Sequence, residues 1–158
     1  MATVCRTIAV NAAFLQEIKE DNRQLKEMSS KCEDLACRGC ASRSDLRVLS
    51  DTLDELRDQL ALHFALEDAY GYFEDAVLQA PRLCQRAEAL RGEHVDLFRS
   101  ICQLADRADE LMHERPSTRS VHQLCNGLRE FIHRFAVHER QEDELIMAAF
   151  EDDIGVGD

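Results

Sequence analysis

The stretch Leu56–Phe73, LRDQLALHFALEDAYGYF, decides the fold, because His63 and Glu67 interrupt an otherwise apolar helical stripe within it. The stripe extends back to Leu46, and its apolar residues recur at alternating steps of three and four. This spacing is typical of an amphipathic helix with one buried face. The predicted inward positions of this helix are Leu46, Leu49, Leu53, Leu56, Leu60, His63, Glu67 and Tyr70.

Three further segments show the same periodicity. The first contains Ile8, Leu15, Ile18, Asn22 and Leu25; the third contains Leu83, Leu90, His94, Leu97, Ile101, Leu104 and Leu111; the fourth contains Val121, Leu124, Leu128, Phe131, Phe135, His138, Glu142 and Leu145. Ser44 is interpreted as an N-cap, and Pro81 and Pro116 mark helix boundaries. We therefore predict a single all-α domain over residues 1–158, an antiparallel up-down-up-down four-helix bundle. Its helices cover about 6–28, 44–78, 81–114 and 117–150, with a connector at 29–43 and a frayed acidic tail at 151–158.

Composition narrows the classes of partner and the location. The net charge of −12 argues against nucleic acid or an anionic membrane as a partner, since both require a basic face. No segment approaches the roughly 20 apolar residues of a membrane span, and the N-terminus lacks the basic region of a signal peptide. The seven cysteines are an odd number scattered through helical sequence, which suits reduced thiols. The sequence thus predicts a cytoplasmic protein.

The polar residues that interrupt the stripes are the candidates for chemistry. His63 and Glu67 occupy the same two inward positions of the second helix as His138 and Glu142 do of the fourth, and His94 interrupts the third. Burying ionised carboxylates among apolar side chains is costly, and a bound metal pair would compensate for it. Imidazole and carboxylate together suit iron, manganese or zinc. The alternative is a set of core histidines that bond to local partners, among them the two glutamates.

Three segments carry a family resemblance. LRDQLALHFALEDAYGYF resembles the HFxxEE region of hemerythrin-like (HHE) domains, LRGEHVDLF (90–98) resembles their Glu-His element, and LREFIHRFAVHERQEDELI (128–146) resembles their last helix with H-x-x-x-E. The resemblance covers about residues 8–150. It implies an antiparallel four-helix bundle with a di-iron centre, in which Glu67 and Glu142 match bridging carboxylates. His63, His94 and His138 match the imidazole ligands.

The sequence departs from the family pattern in two places. Where the first helix of the family usually carries a histidine, this chain has Asn22, in EIKEDNRQLKEM (17–28). Asn22 is a weak ligand candidate, and its alternative role is that of a buried, register-setting asparagine. Oxygen-carrying hemerythrins have a second histidine one turn from the third-helix ligand, and here Phe98 and Leu90 flank His94 instead. The resemblance therefore implies a two-iron centre with one ion weakly held or with an open position.

Two further groups are candidates for a supporting role. Tyr70 lies one turn beyond Glu67 and could hydrogen-bond a ligand, or it could be a core tyrosine. Cys32, Cys37 and Cys40 form C-x4-C-x2-C, a possible thiol or zinc site with Cys5 or Asp34 as a fourth ligand, or simply connector thiols.

Three functions fit these observations. The favoured one is a module that binds or senses a small ligand such as oxygen, peroxide or nitric oxide at the metal centre. The second is a redox enzyme that turns over peroxide or nitric oxide, and the third is a metal-free helical interaction module. The sequence contains no phosphate-binding loop and no activated nucleophile, which argues against an enzyme acting on a large organic substrate.

Overall fold

The computed structural model describes residues 12–40, 42–70 and 73–154, with side chains described at 20–40, 42–68 and 73–149. These residues form five α-helices and one 3-10 turn, and they contain no β-strand. The elements are α1 Ala12–Cys37, α2 Arg43–Tyr70, α3 Glu74–Gln79, the 3-10 turn Pro81–Leu83, α4 Cys84–His113 and α5 Thr118–Ile154. The all-α fold is as predicted.

The four long helices form a bundle in which α2 packs against α1 and α4, and α5 packs against the same two helices from the other side. The guanidinium of Arg43, at the start of α2, donates to the carbonyl of Met112 at the end of α4, at 2.6 Å. Arg86, near the start of α4, donates to the carbonyl of Gln141, late in α5, at 3.4 Å. These contacts place the start of α2 beside the end of α4 and the start of α4 beside the later part of α5. The up-down-up-down order itself stays a prediction.

The first helix is longer than predicted, and the connector is correspondingly shorter. α1 continues through Ser29 to Cys37, because its buried stripe continues from Leu25 to Cys32 and Ala36. Gly39, with a φ of +76°, adopts the left-handed conformation that commonly follows a helix end. The predicted connector at 29–43 is therefore wrong, and the connection covers only the residues between Cys37 and Arg43.

The cap of the second helix also differs from the prediction. The hydroxyl of Ser42 accepts the N–H of Asp45 at 3.0 Å, and the Asp45 carboxylate accepts the N–H of Ser42 at 3.1 Å. This reciprocal pair is a capping box. The N-cap is thus Ser42, two residues before the predicted Ser44.

The predicted second helix ends early, because α2 stops at Tyr70 and the short α3 follows. Residues 71 and 72 lie outside the described residues. Beyond them, Phe73 and Ala76 are buried in an apolar cluster against α4 and α5. The fourth long helix, α5, runs four residues past its predicted end at Phe150, to Ile154.

The described core consists of two apolar clusters with a polar layer between them. The main cluster includes Leu60 and Phe64 of α2, Leu97 of α4 and Phe135 of α5. The smaller cluster includes Phe73, Leu83, Leu90 and Leu145. Along α4 and α5, His94, His138 and Glu142 lie between members of the two clusters. On α2, Glu67 lies beyond Phe64 of the main cluster and before Phe73 of the smaller one. Among the described helices, none is both long and apolar enough to cross a membrane.

Candidate metal centre

The polar layer brings together the five strongest predicted site residues. His63 and Glu67 come from α2, His94 from α4, and His138 and Glu142 from α5, and all five are buried. A spacing of four residues places both members of each pair on the inward face of their helix. His113, His122 and His133 are exposed, as their positions off the stripes predict.

One group of candidate ligands lies between α4 and α5. Glu142 Oε1 lies 3.1 Å from Nε2 of His94 and 3.0 Å from Nε2 of His138. The ligand atoms of these three buried residues all lie within 4.8 Å of one another. The ring of Phe64 stacks on the His94 imidazole with 4.3 Å between ring centroids. We call this group, His94, His138 and Glu142, the inner position.

A second group lies between α2 and α5. Nε2 of His63 lies 3.0 Å from Oε1 of Glu67 and 3.0 Å from Oε1 of Glu139. These residues and Glu142 also have ligand atoms within 4.8 Å of one another. We call this group, His63, Glu67, Glu139 and Glu142, the outer position. Glu142 belongs to both positions, and Glu67 joins them because its Oε2 lies 3.3 Å from Nε2 of His94.

The imidazoles point Nε2 towards the centre and Nδ1 towards an outer carboxylate. Nδ1 of His63 donates to Asp21 at 2.6 Å, and Nδ1 of His138 donates to Glu93 at 2.9 Å. Nδ1 of His94 lies 3.8 Å from the carboxylate of Asp68, which is too long for a hydrogen bond. Metal-binding histidines in proteins are held in this way, because the outer carboxylate fixes the ring and makes Nε2 a better ligand.

Burial and neighbouring charges set the protonation of the metal-free layer. Burial alone would lower the pKa of His63, but its hydrogen bonds to Asp21, Glu139 and Glu67 outweigh burial and raise that pKa to about 12. In the same way, Glu142 and Glu93 overcome burial and raise the pKa of His138. Without a metal, the layer therefore holds protons in place of cations.

The pKa values of Glu67 and Glu142 shift in opposite directions. Burial would raise the pKa of Glu142, but the contacts with His138 and His94 lower it to about 2. Burial raises the pKa of Glu67, and although His63 opposes this, Glu142 and Glu139 add to it. The layer therefore contains more carboxylate than its own imidazoles can compensate for.

The residues of the layer fit a metal pair. Glu67 Oε2 and His138 Nε2 are buried and make ion-pair contacts but no hydrogen bond of good geometry. Poorly satisfied polar atoms are costly in an apolar core unless another group binds them. Both atoms point into the layer, where ion-pair distances to His94 and Glu142 bring them close to the other ligand atoms. Imidazole nitrogens and carboxylate oxygens are the ligands that iron, manganese and zinc share.

Asn22 lies on the wall of a cavity that leads to the outer position. The cavity has a volume of about 400 Å³ and lies between α1, α2 and α5, and its lining includes His63, Glu67, Glu139 and Glu142. The Asn22 Oδ1 atom is buried there without a hydrogen-bond partner. Its neighbour Asp21, rather than Asn22, makes the hydrogen bond to His63.

Sequence reasoning missed two residues of the layer, Asp21 and Glu139. Asp21 precedes the asparagine that was singled out, and Glu139 follows His138, so both lie off the predicted stripes. An acidic residue next to each inward position was the available signal, but such residues are common on solvated helix faces.

Tyr70 and the two residues that flank His94 do not belong to the polar layer as it is described. The side chain of Tyr70 lies outside the described residues, so its predicted role stays a prediction. Phe98 is partly buried against the main cluster, and Leu90 belongs to the smaller one. Neither residue adds a metal ligand beside His94.

The three candidate thiols do not come together as a metal site. Cys32 and Cys40 are buried, whereas Cys37 and the proposed partner Asp34 are exposed. Neither metal-ligand group found among the described residues contains a cysteine. Burial raises the pKa of both Cys32 and Cys40 to about 12, so these thiols stay protonated at neutral pH. Cys5, the other suggested partner, lies outside the described residues.

A helical bundle with a buried layer of paired histidines and carboxylates defines a class of metal-binding bundle proteins. The family model for the Hemerythrin HHE cation binding domain matches residues 13–151, which is most of the chain. The chain therefore belongs to this family, as the sequence motifs predicted. The comparisons with curated proteins and with solved structures gave no match.

Proposed function

We propose that this protein holds two iron ions in the polar layer and binds a small ligand, such as oxygen, peroxide or nitric oxide, at the outer ion. The observation that carries the proposal is the pair of ligand groups that share Glu142. A carboxylate shared by two groups is what two adjacent cations require. Membership of a cation-binding family supports the same assignment.

Each side chain has a stated part in this proposal. His94 and His138 would hold the inner ion, and His63 and Glu139 the outer ion. Glu67 and Glu142 would bridge the two, since each approaches residues of both positions. Asp21 and Glu93 would keep the rings of His63 and His138 in the orientation that presents Nε2 to the metal.

The cavity supports a ligand-binding role for the outer position. Bound iron would supply redox and Lewis-acid chemistry towards a small molecule. The cavity has room for such a molecule, and its lining includes His63, Glu67, Glu139 and Asn22. The buried and unpartnered Oδ1 of Asn22 would accept a hydrogen bond from a protonated ligand or a water there.

We also propose that this protein is located in the cytoplasm. The six cysteines whose side chains are described are free thiols. Reduced thiols in this number are typical of a reducing compartment, which supports a cytoplasmic protein.

Iron content is the direct test. Apoprotein loaded anaerobically with excess ferrous iron and then desalted should retain about two irons per chain. Exposure to air or addition of azide should change the visible spectrum. Glu142→Ala should lose most of the bound iron, because Glu142 belongs to both positions, and His63→Ala should lose at least the outer iron.

His133→Ala is the matched control, since His133 is an exposed histidine on α5 outside the layer. Helix content by circular dichroism checks that every variant is folded. Full iron content in both site variants would refute the assignment of the layer. Sustained consumption of added peroxide by the loaded protein would favour the enzyme alternative over binding or sensing.

A further inference from the structure

The two ion positions differ in the kind of ligand that they offer. The inner position provides two imidazoles, from His94 and His138, with the Glu142 carboxylate. The outer position provides one imidazole, from His63, and three carboxylates, from Glu67, Glu139 and Glu142. The difference arises largely from Glu139, which sits beside the outer position alone.

The two positions also differ in their access to solvent. The outer residues His63, Glu67 and Glu139 line the cavity between α1, α2 and α5, whereas His94 does not and His138 lines a separate cavity beside Glu93. The Glu139 side chain is 30% exposed, and that of His138 is 1% exposed. All three inner ligands are buried and one outer ligand, Glu139, is partly exposed, so an ion in the outer position should exchange faster than an ion in the inner position.

Ligand type and access together determine which ions each position holds. Carboxylates suit hard ions such as manganese, whereas imidazole favours iron and the later metals of the series. Ferrous iron binds more tightly than manganese at most sites, and the imidazole-rich inner position should accentuate that preference. The oxygen-rich outer position should reduce it.

We infer that the outer position is an exchangeable site that accepts manganese, so that the chain can form a mixed iron–manganese pair. Glu139 is the residue that makes the two positions unequal. This inference rests on the proposed two-ion centre. It adds that the two ions are held by different chemistry and need not be the same metal.

Sequential loading tests the inference with metal content as the readout. Apoprotein receives one equivalent of ferrous iron under anaerobic conditions, then excess manganese, and is desalted before elemental analysis. We expect about one iron and one manganese per chain. A chelator added afterwards should remove manganese in a fast phase and iron in a slow phase.

Glu139→Gln isolates the residue responsible. The variant keeps the size of the side chain and removes its charge, so manganese affinity should fall by at least about tenfold while the inner iron stays bound. Asp143→Asn is the matched control, because Asp143 lines the same cavity on the same helix but belongs to neither ligand group. It should leave both metals unchanged.

The possible failures are distinguishable. A chain that binds two irons but excludes manganese would overturn this inference and leave the two-ion centre intact. Equal manganese binding by wild type and Glu139→Gln would also overturn it, as would release of both metals in a single phase. A folded chain that takes up no metal under any loading would overturn both this inference and the proposed function.

Discussion

At the scale of single residues, Asp21 shows how the first helix contributes to the layer without a histidine. Its Oδ2 accepts a hydrogen bond from Nδ1 of His63 at 2.6 Å, and its Oδ1 accepts one from the amide of Gln59 at 2.6 Å. Gln59 and His63 are four residues apart on α2, so one carboxylate is held against one face of that helix. Asp21 therefore fixes the ring of the single imidazole in the outer position.

We expect Asp21→Asn to weaken metal binding by about 10- to 100-fold, the usual effect of removing an outer carboxylate from a ligating histidine. Asparagine can still accept a hydrogen bond from His63, so the loss measures the contribution of the charge. Competition with a chromophoric chelator gives the affinity.

Glu20→Gln is the control for this prediction. Glu20 is the exposed neighbour of Asp21 and pairs with Arg23 on the surface. The Glu20→Gln variant should bind metal with the same affinity as the wild type. Unchanged affinity in Asp21→Asn would mean that His63 does not depend on its outer carboxylate.

The residues of the layer were predictable only where they interrupt an apolar stripe. His63, Glu67 and His138 stand at buried helical positions, where a polar side chain needs an explanation. Glu139 follows His138 in sequence, but its side chain points about 100° away from that of His138 around the helix axis. Only its contact with His63 on another helix gives it a place in the layer, and no periodicity within one helix contains that contact.

At the scale of helices, the existence of each long helix was predictable and several of its ends were not. The cysteines at 32, 37 and 40 suggested a chemical connector, whereas Cys32 simply continues the buried stripe of α1. Beyond the described end of α2 at Tyr70, Phe73 is buried against α4 and α5. Such tertiary contacts outweigh local helix propensity, and sequence periodicity does not reveal them.

The glycines of α4 and α5 provide a prediction about helix stability. Gly92 lies inside α4, and a Cβ added there would meet no atom within 4 Å. Replacing a glycine by alanine within a helix stabilises it by about 0.5–1 kcal/mol, since the unfolded chain loses less freedom on folding. We expect Gly92→Ala to raise the Tm of the metal-free protein by about 2–4 °C.

Gly127→Ala is the matched comparison on α5. A Cβ at that position would lie 3.2 Å from Cδ2 of Leu104, so that side chain must move. The gain in Tm should be smaller than for Gly92→Ala. Thermal denaturation followed by circular dichroism measures both variants, and a lower Tm for Gly92→Ala than for wild type would contradict the open surroundings of Gly92.

At the scale of the whole molecule, the polar layer couples metal binding to folding. It lies between two apolar clusters, so its charges are buried on folding whether or not a metal is present. Burying charged groups is costly unless they are well compensated. Protons compensate the carboxylates in the metal-free protein, and cations would do so more completely. Stability should therefore depend on both pH and metal.

The metal-free protein should lose stability as the pH rises above 6.5. The folded pKa of His63 is raised from 6.5 to about 12, and that of His138 is also raised from 6.5. The folded state thus binds more protons than the unfolded state, and its stability falls as pH increases. Glu142 has the opposite effect on stability at low pH, because its pKa is lowered from 4.5 to about 2 and the folded state therefore loses stability as the pH falls. Its contribution is lost below pH 4.5, so the metal-free protein should be most stable between these limits.

Metal loading should reverse the trend above pH 6.5. A metal binds the unprotonated imidazoles, so protons compete with it and its affinity increases with pH. Tighter binding to the folded state raises stability by mass action. We therefore expect the difference in Tm between loaded and metal-free protein to widen from pH 6 to pH 8.5. Urea denaturation of the loaded and metal-free forms at each pH measures how the free energy of unfolding depends on pH and on bound metal. If the metal-free protein became more stable over this range, His63 would not carry the proton that its contacts with Asp21 and Glu139 assign to it.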